Sequence, residues 1–257
     1  MKRTTFFEMF VRLAAIAVTA IGLIAMTNAS ARAEAKPEDV RIDGADGLKM
    51  GGTYYPGQAG KPGLILLHML SRTREDWRGF ALEAQQKGYH VLALDLRGHG
   101  ASNRLADGTH LDGNGMPNSE FQKMPDDVAA AVQWLRTKKV AEDRIGLVGA
   151  SVGANAALVA AAKPETNIRA LVLLSPGTNY KGIETLSAAE TYTGPAFMAT
   201  GNNDRNAFIS TKKLEKVMGE RATVKYYDGL DHGNFLFNAN RELEPLVFQW
   251  LVDHLDS

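Results

Sequence analysis

Short, nearly uninterrupted apolar runs recur along this chain and alternate with stretches whose apolar residues return every three or four positions. The runs at residues 63–67, 89–94, 144–148, 169–174, 195–199 and 222–227 read as strands, the earlier ones buried on both faces. Ahead of them, 40–43 and 48–55 read as a hairpin turning at 44–47. Helices are predicted between the strands. One starts at the box Thr73-Arg-Glu-Asp76 and stops at Gly88. Another opens at Pro125 and runs to about 138 with Val128, Ala131, Val132 and Leu135 on one face. Others cover 154–162, 207–218 and 241–254. Such alternation predicts an α/β fold, a mainly parallel sheet with helices on both faces. Ligands bind such sheets beyond the carboxyl ends of the strands. The loops just after the strands are therefore the places to look for chemistry. The connection 101–124 is long and polar.

The loop after 144–148 reads Gly149-Ala-Ser151-Val-Gly153 and runs straight into an alanine-rich helix. Strand, sharp turn and helix in that order form a nucleophile elbow. The turn forces a strained backbone on the serine, and small neighbours let strand and helix pass closely. The hydroxyl then stands at a helix N-terminus, where free N–H groups favour negative charge. Two further strand-end loops carry the remaining groups that acyl chemistry needs: Thr200-Gly-Asn-Asn-Asp204 and Gly229-Leu-Asp231-His232-Gly233. A serine hydroxyl is a poor nucleophile unless an imidazole takes its proton and a carboxylate fixes that imidazole. The chain order is serine, acid, histidine, with Asp231 competing with Asp204 as the acid.

With these motifs, and with Leu66-Leu-His68 and Asp95-Leu-Arg-Gly-His-Gly100, the chain from about 40 to 255 resembles the α/β-hydrolase superfamily. It is most similar to small bacterial dienelactone-hydrolase-like proteins and carboxylesterases. Large caps in that family enter after the strand that here ends near 174, so the short segment 175–194 implies no large cap domain. The resemblance implies Ser151 as nucleophile, Asp204 as acid and His232 as base. It also implies an oxyanion hole from the backbone N–H groups of Val152 and Leu70, with Met69 as second choice for the latter. Met69 stands where the family usually has glycine, which allows backbone angles a methionine resists. Serine at the elbow, where true dienelactone hydrolases use cysteine, favours ordinary ester hydrolysis.

Composition narrows the setting. Among 257 residues there are 29 basic and 29 acidic side chains and no cysteine. Thiolate catalysis, disulfides and cysteine metal ligands are excluded, and nothing recommends nucleic acid as partner. The first 33 residues read as an export leader. Lys2, Arg3 and Arg12 precede the uncharged run 13–26, and small residues cluster before a cleavage site expected after Ala33. Residues 34–257 are then one domain, periplasmic or secreted, without a stable membrane anchor. Asp95 and His99 have no third metal ligand spaced nearby and read as loop-holding residues. His68 reads as a hydrogen-bonding residue behind the oxyanion loop, and Trp77, Trp134 and Trp250 read as packing. Leu105, Leu111, Met116 and Phe121 of the long loop are placed either against an acyl chain or in surface packing.

The expectation is a serine hydrolase acting on a small-molecule carboxylic ester through an acyl-enzyme, with no cofactor and no metal. A peptidase or amidase on the same triad, and a non-catalytic binding protein that keeps the fold, are the alternatives.

Overall fold

The computed structural model describes residues 35–141 and 143–256, so the expected leader at 1–33 lies outside the described residues. The early hairpin forms as β1 (Glu38–Asp43) and β2 (Lys49–Tyr55), with Val40 opposite Gly52. Then come β3 (Gly63–Leu67), α1 (Arg78–Gln86), β4 (His90–Leu94), the short α2 (Asn118–Phe121) and α3 (Met124–Arg136). The elbow region gives β5 (Ile145–Ala150) and α4 (Val152–Ala161), followed by β6 (Ala170–Leu174). A two-stranded hairpin, β7 (Asn179–Tyr180) and β8 (Ile183–Glu184), and α5 (Leu186–Thr191) occupy the place where a cap would enter. The chain closes with β9 (Ala196–Gly201), α6 (Arg205–Met218), β10 (Ala222–Tyr227), α7 (Phe235–Ala239) and α8 (Leu243–Leu255). The main sheet has eight strands in the order β1-β2-β4-β3-β5-β6-β9-β10. β2 is antiparallel to both its neighbours, and all pairs from β4 to β10 are parallel.

The apolar runs are continuous because both faces of the sheet are covered. Successive side chains point to opposite faces, and the two cores divide accordingly. Ile65, Leu67, Leu147, Leu171 and Leu173 lie in one core with Val128 of α3, Leu158 of α4 and Leu214 of α6. Leu64, Leu66, Val148, Val172 and Phe197 lie in the other with Phe80 of α1 and Leu251 of α8. Each such side chain contributes about 1.5–3 kcal/mol on burial. No helix among the described residues is long and apolar enough to cross a membrane.

Two expectations are corrected. The helix start at Thr73 is not a capping box: residues 74–77 form a 3-10 turn, and the Thr73 side chain does not cap it. Asp76 instead receives Arg72 in a two-point ion pair at 2.6 and 2.7 Å, a geometry that outcompetes a single N–H contact. The 101–124 connection is less loop-like than its polarity suggests. Leu111, Met116 and Phe121 are buried in the α3–α4 core, Leu105 packs against it, and residues 118–121 are helical.

Candidate active site

The elbow is a strained turn. Ser151 takes φ 54° and ψ −120°, outside the regions open to a residue with a Cβ. Its N–H donates to the Leu174 carbonyl at 2.8 Å, and its own carbonyl accepts from Ala154 and Asn155. Those bonds at both ends determine the turn, and α4 starts immediately after it. Gly153 permits the approach behind the elbow. A Cβ there would stand 2.5 Å from the Leu67 carbonyl oxygen and 2.6 Å from that of His68. The end of β3 is thereby brought against the first turn of α4.

Asp204 and His232 arrive on crossing loops. Asn202 donates its N–H to the Tyr227 carbonyl and Asn203 donates to that of Gly229, which ties the loop after β9 to the loop after β10. Asp204 sits at the N-cap of α6 but does not cap it. Its Oδ2 accepts instead from His232 Nδ1 at 2.5 Å, which leaves Nε2 as the free ring nitrogen. Asp231 makes no hydrogen bond to the ring among the described residues, and Asp228 accepts from the Asn202 amide. The next residue, Gly233 at φ +60°, has Met69 and Ala150 where a side chain would stand. Ala150 precedes Ser151, so the loop that carries His232 is seated on the strand that carries the serine. Among the described residues no hydrogen bond joins the Ser151 hydroxyl to the ring. The Tyr180 ring stands edge-on to His232, centroids 6.3 Å apart. Burial, and then the Asp204 charge, push its phenol up to about 12.

The loop after β3 is set by two buried histidines. His68 Nδ1 donates to the Met69 carbonyl at 2.6 Å while its Nε2 accepts from the Leu96 N–H at 2.9 Å. That pattern requires the neutral ring, and burial depresses its protonation to about 4. The peptide bond is planar and trans, so a Met69 carbonyl turned to His68 aims the Leu70 N–H the opposite way. His99 lies edge-on to His68 at 5.1 Å, donates to the Arg97 carbonyl, and accepts from the Ser71 N–H. The left-handed backbone of this loop falls on Ser71, φ 62°, not on Met69. A methionine therefore fits where glycine was expected. The Val152 N–H, at the first position of α4, and the Leu70 N–H have no backbone acceptor among the described residues.

Four positions escaped the sequence reading. Ser175 follows β6 at φ 50°, fully buried, and its hydroxyl accepts from the Gly233 N–H at 2.9 Å. Asn155, buried in α4, bonds the backbone at Gly177 and Ile183. Tyr180 stands beside His232. Arg97 is fully buried, paired at both carboxylate oxygens of Asp127 and bonded to Glu120 and Asp46. A polar residue directly after a buried strand, or alone in an alanine-rich helix, is the available signal for Ser175 and Asn155. Asp95 is structural, as read: it takes Arg74 and the Ala101 N–H, and Ser102 bonds its carbonyl. Among the described residues no three His, Asp or Glu side chains gather as metal ligands.

Comparison with known proteins agrees with this architecture. The esterase Pf2001 of Pyrococcus furiosus superposes at a TM-score of 0.68, with 21% identity, over 86% of this chain and 93% of its own. Acetyl xylan esterase 1 of Thermoanaerobacterium sp. JW/SL YS485 gives 0.70, 19%, 86% and 84%. A dienelactone hydrolase of Anabaena variabilis gives 0.66, 18%, 86% and 100%. At these identities the likeness is one of fold. In sequence, thiohydrolase aneE of Aspergillus aculeatus is 34% identical over 120 residues, 45% of this chain and 34% of that protein. A putative phosphoribosyl transferase of Mycobacterium tuberculosis is 30% identical over 126 residues, 48% of this chain and 27% of that one. The chain thus matches about a third or less of the length of these curated relatives. The family described as the alpha/beta hydrolase fold matches residues 62–230. The chain belongs to the α/β-hydrolase family.

Proposed function

We propose that this protein is a serine hydrolase that cleaves small carboxylic esters. Ser151 attacks the acyl carbonyl while His232 Nε2 takes its proton, and Asp204 fixes the imidazole and stabilises its charged form. The N–H groups of Val152 and Leu70 receive the oxyanion. His232 next protonates the departing alkoxide, and a water attacks the acyl-enzyme by the same route. The observation that carries this reading is the 2.5 Å bond from His232 to Asp204 on a loop seated against the residue before a strained serine. Solved neighbours named as esterases lean the same way. An ester is preferred to an amide because an alkoxide leaves more readily than an amine. Export completes the proposal, with residues 1–33 removed after Ala33.

A fluorophosphonate probe should label the wild type and leave Ser151→Ala unlabelled; equal labelling would remove Ser151 from the chemistry. p-Nitrophenyl esters of graded acyl length give the substrate profile, and faster turnover of aminoacyl amides than of matched esters would replace the ester by an amide. The mass of the exported chain reads the cleavage site, and an intact Met1 would overturn the leader.

A further inference from the structure

Next to Tyr180, whose ring stands edge-on to His232, the molecule carries an open cavity of about 340 Å³, within the ~300–1,000 Å³ typical of small-molecule sites. Thr178, Asn179 and Tyr180 of the β7 segment line it together with Asn206, Ser210 and Lys213 of α6. Tyr180 belongs to both places: it lines the cavity, and its ring stands edge-on to His232. The other wall is equally close to the site: α6 begins directly after Asp204, the residue bonded to His232.

The β7–β8 hairpin is fastened to the elbow helix. Asn155, four residues after Ser151 and fully buried, donates to the Ile183 carbonyl at 2.8 Å and accepts from the Gly177 N–H at 2.9 Å. Thr185 adds a 2.7 Å bond to the Gly177 carbonyl. The wall bearing Thr178 and Tyr180 is thereby set relative to the nucleophile, as a preformed subsite requires.

The direction of the reaction says which half of a substrate would lie there. In the proposed mechanism His232 hands its proton to the departing oxygen, so the group lodged beside His232 is the alcohol half. The lining decides what kind of alcohol. It offers hydroxyls, carboxamides and one ammonium, a mixture of donors and acceptors, with no carboxylate and with Ile209 as its aliphatic member. The Asn179 amide is already bonded to Glu184 and Gly182, but an alkyl alcohol would displace water from Thr178, Asn206, Ser210 and Lys213 and offer them no partner, whereas a polyol can both donate to and accept from such groups. We infer that this cavity is the alcohol-side subsite and that it selects esters of hydroxyl-rich alcohols such as sugars. The inference rests on the ester-hydrolase reading of the site.

The test compares glucose 6-acetate with cyclohexylmethyl acetate, two primary esters on six-membered rings that differ in their hydroxyls. Asn206 and Lys213 are exposed on α6, so Asn206→Ala/Lys213→Met tests recognition with the core left in place. The ratio of kcat/KM values, sugar over cycloalkyl, should fall about tenfold in the double variant, mainly through KM, as expected for two lost hydrogen bonds. A ratio that does not move overturns the subsite while leaving the esterase reading intact. Should the wild type cleave neither ester nor any other, the esterase reading fails separately, and glucose is titrated into full-length Ser151→Ala by calorimetry. Saturable binding weakened by the double substitution supports the subsite, and absence of binding overturns it.

Discussion

Replacing Ser151 by glycine should abolish activity and yet give a more stable protein than replacing it by alanine. At φ 54° and ψ −120° any residue with a Cβ is strained, by about 1–3 kcal/mol in such regions. Alanine keeps that Cβ and its strain; glycine removes both. Against this stands glycine's entropic penalty of about 0.5–1 kcal/mol. Neither substitution touches the bonds that define the turn, which run from the Ser151 N–H to Leu174 and from Ala154 and Asn155 to the Ser151 carbonyl. Ser151→Gly is therefore expected to be about 1–2 kcal/mol more stable than Ser151→Ala. At about 2–4 °C per kcal/mol for a domain of this size, Tm should rise by roughly 2–8 °C. Urea unfolding with an unchanged slope isolates the difference. Should Ser151→Gly be the less stable by the ordinary glycine penalty, the elbow stores no strain and the backbone argument fails.

Three more outcomes follow from the same geometry. Ser175→Ala removes the acceptor of the Gly233 N–H; stability should fall by about 1–3 kcal/mol and kcat should drop with KM nearly unchanged, and steady-state kinetics showing kcat intact would detach Ser175 from the placing of His232. Arg97→Met leaves the Asp127 carboxylate buried and unpaired and should cost about 3–5 kcal/mol in chemical denaturation; a loss under 1 kcal/mol would mean that the pair is not dry. The wild type should lose stability relative to His68→Asn from about pH 6.5 downward, because His68, ordinarily 6.5, is held at about 4 when folded. The unfolded chain then takes up a proton that the folded one refuses, so His68 contributes its stability above 6.5 and loses it as pH falls to 4, about 3 kcal/mol in all. Burial lowers His99 as well, which adds to the slope, while Asp127, pushed up to about 6 by burial, binds its proton earlier when folded and acts against it. A stability difference between wild type and His68→Asn that stays level between pH 7 and 4.5 would contradict the His68 argument.

What could be read from the sequence was governed by local rules. A strand covered on both faces must be apolar at every position, so 63–67, 169–174 and 195–199 declared themselves. Gly149 to Gly153 declared the elbow, because few residues tolerate so close a crossing of strand and helix. Asp204 and Asp231 both lie in strand-end loops between the serine and the histidine, so chain order did not separate them; the family resemblance favoured Asp204, whose carboxylate is the one bonded to His232. What stayed hidden depends on contacts between distant segments. Ser175 matters because Gly233, 58 residues on, points its N–H at it, and no periodicity reports that. The buried state of Arg97 needs Asp127, Glu120 and Asp46 from three other segments. Leu111, Met116 and Phe121 lay in a polar context that masked their burial. Met69 looked awkward at a glycine position until the left-handed backbone fell on Ser71 instead.

Whether Ser151, Asp204 and His232 act as one unit is measured most directly by a mutant cycle. Rates of p-nitrophenyl acetate hydrolysis would be compared for Ser151→Ala, His232→Ala and Ser151→Ala/His232→Ala, with Asp204→Ala alongside. Groups that act together lose nearly everything at the first deletion, so the double variant should be no slower than either of its singles, with Asp204→Ala somewhat less impaired. Losses that multiply in the double variant, or a His232→Ala rate close to that of the wild type, would contradict the proposed mechanism.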